Sequence, residues 1–176
     1  DAYLDKTRIP LKIDISTGDV ITPCEISFSY QLMFENRTIP LLAYPPETVL
    51  AEKLETILSR GEANTRLRDF YDVYILQRED FVVTPDALRY ALLATCRTRG
   101  HEDLLHTYAS ILDGVRQSDA MRTQWMKYQT DFDYAAGITW DTVLDTVETL
   151  CMKTLDDHAF GDELPQEESQ FEMHLL

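Results

Sequence analysis

The sequence is short of the residues that staple, punctuate or anchor a chain. Its three cysteines, Cys24, Cys96 and Cys151, lie far apart with no CxxC pair. That excludes a disulfide framework and a cysteine zinc site, and it fits a reducing cytoplasm. Six glycines and seven prolines are too few for a linker-rich or disordered protein. No apolar run approaches the roughly 20 residues needed to cross a bilayer, so no membrane partner is expected. Basic residues are scarce as well: 16 Lys and Arg stand against 31 Asp and Glu, a formal charge of −15. That balance argues against a broad phosphate-neutralising surface and leaves room only for a local one.

What is present is enough for one core and a small second lobe, at 44% hydrophobic residues over 176 positions. The chain opens at Asp1, with no initiator Met and no signal peptide, and reads as a piece of a longer polypeptide. Part of the acidic excess falls near the other end. Asp156, Asp157, Asp162, Glu163, Glu167, Glu168 and Glu172 occur there without a Lys or Arg, so residues 161–176 are expected to form a solvated, flexible acidic tail. Docking of Phe171, Leu175 and Leu176 onto a partner is the alternative.

Two unlike halves precede that tail. Residues 9–44 alternate and are rich in β-formers, as in Ile9 to Ile15 and Ser27 to Phe34, which predicts three strands within a first unit of residues 1–45. After Tyr44 the apolar period becomes 3.6 and holds to about residue 160. Caps and breakers divide this second unit into six helices. They run from Pro46 through Leu58 to a stop at Gly61, from Arg66 to Gln77, from Thr84-Pro85 to Gly100, from Glu102 to about Arg116, from a Ser118 cap to Tyr134, and from Thr139-Trp140 to near His158. The predicted fold class is α+β, a small sheet packed on a bundle of about six helices.

Polar residues that break these patterns are the candidates for chemistry. Asp14 interrupts an aliphatic strand-like run, in phase with Lys12 and Ser16; it is either a divalent-metal ligand or an ordinary solvent-facing acid. Lys53 projects beside the stripe of Val49, Leu50, Leu54, Ile57 and Leu58, apart from the polar side that carries Glu52 and Glu55. A lysine so placed snorkels, pairs with an acid or meets a ligand phosphate. Asp69 and Asp72 lie three apart on the next helix. Arg66 and Arg68 can reach them at helical spacing, as structural ion pairs or as part of a site.

In order, these features form a pattern. The stretch Tyr44-Pro45-Pro46-Glu47-Thr48-Val49-Leu50-Ala51-Glu52-Lys53-Leu54-Glu55, then Asn64-Thr65-Arg66-Leu67-Arg68-Asp69-Phe70-Tyr71-Asp72, resembles the helical signature of the AbiEii/AbiGii family of bacterial toxin nucleotidyltransferases. Lys12-Ile13-Asp14-Ile15 matches that family's upstream strand. The resemblance is strong over residues 9–78 and general from there to 159.

The resemblance implies transfer of a nucleotide from a nucleoside triphosphate to an acceptor, with RNA, notably tRNA, as the expected acceptor, Mg2+ or Mn2+ as cofactor and a cognate antitoxin as a partner. Such enzymes serve toxin–antitoxin or phage-defence systems, including abortive infection. Asp14 corresponds to a metal-binding carboxylate. Lys53 corresponds to the lysine that grips the triphosphate, Asp69 to an acid needed for activity, and Asp72 to its supporting acid. Arg66 and Arg68 correspond to basic positions that hold phosphate or these acids. The family's opening Gly-Ser or Gly-Gly turn and Asp-x-Asp strand do not occur in the 176 residues, since Asp131-Phe132-Asp133 falls in a helical region. Residues 1–45 are therefore expected to be part of a catalytic sheet, residues 46–160 the helical domain that completes the site, and the chain by itself inactive. The competing reading is a non-catalytic interaction module or remnant of such a toxin.

Overall fold

The computed structural model describes residues 1–13, 15, 17–78 and 83–156. Asp14, Ser16 and the acidic tail expected at 161–176 lie outside the described residues, as does the end of the sixth helix expected near His158.

The α+β class holds, with six helices. They are α1 (Pro46–Arg60), α2 (Leu67–Arg78), α3 (Pro85–Arg99), α4 (Leu104–Gln117), α5 (Asp119–Asp131) and α6 (Trp140–Leu155). Local chemistry sets their ends. Pro46 opens α1, where its missing N–H costs nothing, and Gly61 closes it at φ 47°. Thr84, Ser118 and Thr139 each accept a backbone N–H from the third residue beyond, those of Ala87, Met121 and Thr142. Gly100 closes α3 in the left-handed region, at φ 68°.

One core joins the helices. Leu50, Leu54, Ile57 and Leu58 of α1 are buried, as are Phe70 and Val73 of α2 and Leu88 and Leu92 of α3. Leu112 and Val115 of α4, Trp125 of α5, and Val143, Leu144 and Val147 of α6 complete it. α1 packs on α2, α3 and α4, and α6 closes against α2, α3 and α4. No helix among the described residues is long and apolar enough to cross a membrane.

The strand region differs from the expectation of three strands. It forms two separate antiparallel pairs, β1 (Ala2–Leu4) with β2 (Thr7–Ile9) and β3 (Ile26–Gln31) with β4 (Thr38–Ala43). Among the described residues of the alternating run that begins at Ile9, only Ile9 itself is in a strand. Among the described residues that follow it, Leu11, Ile13 and Ile15 are exposed without ladder partners. Alternation supplies a face, whereas a strand also needs a neighbour for its backbone groups. Every residue of β3 is exposed, so the pair stands out from the bundle rather than forming a covered layer. The 17–25 segment is tied to α1 through Thr48, whose hydroxyl accepts the Thr22 N–H at 2.9 Å and donates to the Thr22 carbonyl at 3.0 Å.

Candidate functional site

The turn at Gly61–Ala63 sends the chain back along α1, so the first turns of α2 face the middle of α1. Asn64 is buried, and its side-chain oxygen accepts the Arg66 N–H at 2.7 Å, which fixes the entry to α2. Three residues on, Asp69 is 3% exposed in the first helical turn, where the helix dipole favours a carboxylate.

Lys53 answers the question its position posed. Its ammonium lies 3.3 Å from Asp69 Oδ1 and 2.5 Å from Asp72 Oδ2, with only 19% of the side chain exposed. It pairs with acids rather than snorkelling. Arg66 Nε stands 3.1 Å from Asp69 Oδ2, close enough for an ion pair but without the alignment of a hydrogen bond. Arg68 Nε lies 3.8 Å from Asp72 Oδ2. Five of the six singled-out residues therefore form one connected cluster; the sixth, Asp14, lies outside the described residues. This cluster forms one wall of an open groove of about 700 Å³.

The opposite wall comes from α5 and the loop after it. Lys127, Tyr128, Asp131, Phe132 and Tyr134 line it. The rings form a connected set, with Tyr71 and Tyr134 centroids 4.7 Å apart and Tyr128 and Phe132 also 4.7 Å apart. Burial, and then the hydrogen bond to Tyr134, pushes the Tyr128 phenol above its ordinary value. Burial and the neighbouring Tyr134 and Asp72 do the same for Tyr71. Both phenols stay neutral across the physiological range. They act as rings and hydrogen-bonding groups, not as bases.

Sequence reasoning missed a second polar cluster behind Lys53. Glu55, placed with the polar side of α1, is 2% exposed. It shares a face with Ala51 and Leu58, at i−4 and i+3. Its carboxylate holds Arg99 and, at 2.6 Å, Nδ1 of His101. Arg99 also stands 3.6 Å from Glu52 and 3.9 Å from Asp19. Burial opposes the Arg99 charge, but Glu55, Glu52 and Asp19 outweigh it and raise its pKa. Burial, followed by Asp19, raises the Glu52 carboxyl, with Arg99 and Lys53 pulling the other way. A cleft of about 570 Å³ runs past this cluster and shares Lys53, Arg66 and Asp69 with the groove.

Asp69 and Asp72 do not fit a divalent cation as they stand, because the Lys53 ammonium occupies the position between them. No group of three or more His, Cys, Asp or Glu side chains among the described residues has metal-holding geometry. The metal implied by the sequence resemblance falls to Asp14, which lies outside the described residues.

Comparison with known proteins adds one finding. Residues 1–146 match the model of a family described as the nucleotidyl transferase AbiEii toxin of a type IV toxin–antitoxin system. No curated protein and no solved structure matches the chain. The match spans most of the sequence, taking in both strand pairs and the cluster around Lys53, and on that extent the chain belongs to the AbiEii nucleotidyltransferase toxin family.

Proposed function

We propose that the groove between α1, α2 and α5 handles the triphosphate and the acceptor in a toxin that transfers a nucleotide from a nucleoside triphosphate to RNA. The observation that carries this reading is the placement of Lys53. It is a largely buried ammonium, held by two acids, on the wall of a groove that also presents Arg66, Arg68 and Lys127. In the transfer the acceptor hydroxyl releases its proton to solvent as its oxygen bonds to the α-phosphorus, the bond from that phosphorus to the bridging oxygen breaks, and pyrophosphate leaves with the electron pair. A fixed cation beside the departing group offsets its growing charge, and fixing it beforehand avoids reorganisation during the reaction.

Asp69 and Asp72 are positioning residues in this scheme, since each touches Lys53 rather than the reacting atoms. Arg66 and Arg68 play two parts, restraining the acids and offering N–H donors to phosphate. The type IV toxin–antitoxin setting supports a cognate antitoxin as partner, and phage defence is the role consistent with it.

One observation favours a different reading. Lys53 is already paired with both Asp69 and Asp72, so the cluster also serves as an ionic bridge between α1 and α2 in a non-catalytic module. Lys53→Met separates the two. Replacing the lysine leaves Asp69 buried with Arg66 alone, which should lower stability by ~1–2 kcal/mol. In the full-length gene product, given Mg2+ or Mn2+, labelled nucleoside triphosphates and total RNA, the same change should abolish labelling of RNA while circular dichroism shows the helices intact. Normal labelling by the folded variant would leave Lys53 a structural ion-pair partner and defeat the proposal.

A further inference from the structure

Phe132 and Tyr134 are 41% and 50% exposed, although the loop that carries them is firmly held. α5 ends with the Phe132 N–H donating to the Tyr128 carbonyl at 3.0 Å. The turn at Asp133–Ala135 then brings Tyr134 over Tyr71, and the two phenol oxygens of Tyr128 and Tyr134 meet at 2.9 Å. Gln129 donates to the Ala135 and Ile138 carbonyls at 3.2 and 2.9 Å, and Trp125 Nε1 donates to the Ile138 carbonyl at 2.8 Å. The rings are therefore presented by a braced loop. Phe132 has no polar atom to repay its contact with water.

Charge adds a second, independent observation. In a chain of net charge −15, this groove gathers Lys53, Arg66, Arg68 and Lys127 around the rings, against Asp69, Asp72 and Asp131. Arg68, on the wall opposite the rings, is 77% exposed. Exposed aromatic faces interleaved with exposed cations are the chemistry that holds unpaired nucleobases by stacking while the cations follow the phosphates. Three rings, those of Tyr128, Phe132 and Tyr134, line a groove that is open to solvent, so that more than one base can be met there.

We propose that Phe132 and Tyr134, backed by Tyr128 and Tyr71, form a stacking platform for the unpaired bases at the end of a nucleic-acid strand, with Arg68 and Lys127 gripping the adjoining phosphates. The proposal rests on the transferase reading of the same groove and assigns its acceptor side.

The test uses the full-length gene product and fluorescein-labelled ten-nucleotide RNAs, read by anisotropy without nucleoside triphosphate. A base-bearing single strand should bind, and the same strand with abasic positions at its end should bind roughly tenfold more weakly. Phe132→Ala should lose about tenfold for the base-bearing strand and almost nothing for the abasic one, while Phe132→Trp restores affinity. Equal binding of base-bearing and abasic strands, of a blunt duplex, or of Phe132→Ala and wild type would each overturn the platform. A loss confined to a free nucleoside triphosphate would overturn it too, by assigning the rings to the donor. These outcomes are separable from the transferase reading. RNA labelling that is lost in Lys53→Met while Phe132→Ala binds normally sinks the platform alone. Base-dependent binding alongside labelling that ignores Lys53→Met sinks the transferase reading alone.

Discussion

Among the described residues between 46 and 155 most apolar side chains converge on one core. Between residues 1 and 45, by contrast, Ile13, Phe34 and Leu42 stand at the surface. Both regions obey their local rules. In β3 and β4, Ile26, Phe28 and Tyr30 pair with Ala43, Leu41 and Ile39, and paired residues share a side of the ladder. The hairpin thus has an apolar face and a face carrying Ser27, Ser29 and Gln31. The difference is that each helix finds other helices for its stripe, whereas Phe28, Tyr30 and Leu41 each remain about half exposed. Pattern decides which face is apolar, and only tertiary contact turns that face into stability.

The sharpest way to break this comparison is a pair of truncations. Leu54 is fully buried at the centre of α1, so Leu54→Ala removes packed methyls and leaves a cavity. It should cost ~3 kcal/mol in urea unfolding. Phe28→Ala deletes a larger side chain but should cost less than about 1 kcal/mol, because much of its ring is already in water. Similar costs at the two sites would mean that the strand pair is covered in solution.

The same contrast explains what the sequence made legible. Helix starts were readable within a residue or two because Pro46, Thr84, Ser118 and Thr139 act on their own neighbours, as do the breakers Gly61 and Gly100, whereas α5, expected to reach Tyr134, ends at Asp131. Lys53, Asp69, Asp72, Arg66 and Arg68 were readable because helical spacing and a family signature place them. The described residues that follow Ile9 alternate without forming a strand, since a strand's partner is not a local property. The Glu55 cluster was invisible for a related reason. Glu55 meets Arg99 and His101 across 44 and 46 positions, and nothing near Glu55 announces either. The ring platform left a faint trace, with Tyr128, Phe132 and Tyr134 crowded around Lys127 at the end of α5, but a helix end rich in aromatics is also what a core supplies.

Thiol chemistry sharpens the comparison on a smaller scale, since the three cysteines divide between the regions. Cys24 is exposed in the strand region, while Cys96 and Cys151 are buried in the bundle. Burial, reinforced by Glu55, pushes the Cys96 thiol up to about 12. Burial, reinforced by Glu148, does the same for Cys151. Thiolate is the reactive form, so a disulfide reagent at pH 8 should titrate one thiol rapidly in the native protein. The other two should follow at least ~10-fold more slowly, at the rate of opening, and all three should react at once in urea. Two fast native thiols would place an opening in the bundle beside Cys96 or Cys151.

The smallest effect lies where the two regions touch. Asp19, from the strand region, stands near Glu52 of α1, and Glu55, Arg99 and Lys53 also face that carboxyl. Burial first and Asp19 second raise Glu52 above its ordinary value of 4.5, and the two cations do not fully offset them. A raised folded pKa means that the folded state holds this proton more tightly than the unfolded chain does. Below the unfolded value both states are protonated and Glu52 contributes no penalty. As pH rises from 4.5 through the folded value the penalty of ionising it in place appears, and above that it is constant. Glu52→Gln removes the titration, so it should be more stable than wild type at pH 7 by ~0.5 kcal/mol, the scale of partly exposed charge changes. The gain should fade as pH falls through that window and vanish below about 4.5. A gain that instead persisted unchanged to pH 4 would come from packing rather than charge. A loss at pH 7 would show that the Arg99 pair outweighs burial and Asp19, making the contact between the regions a stabilising one.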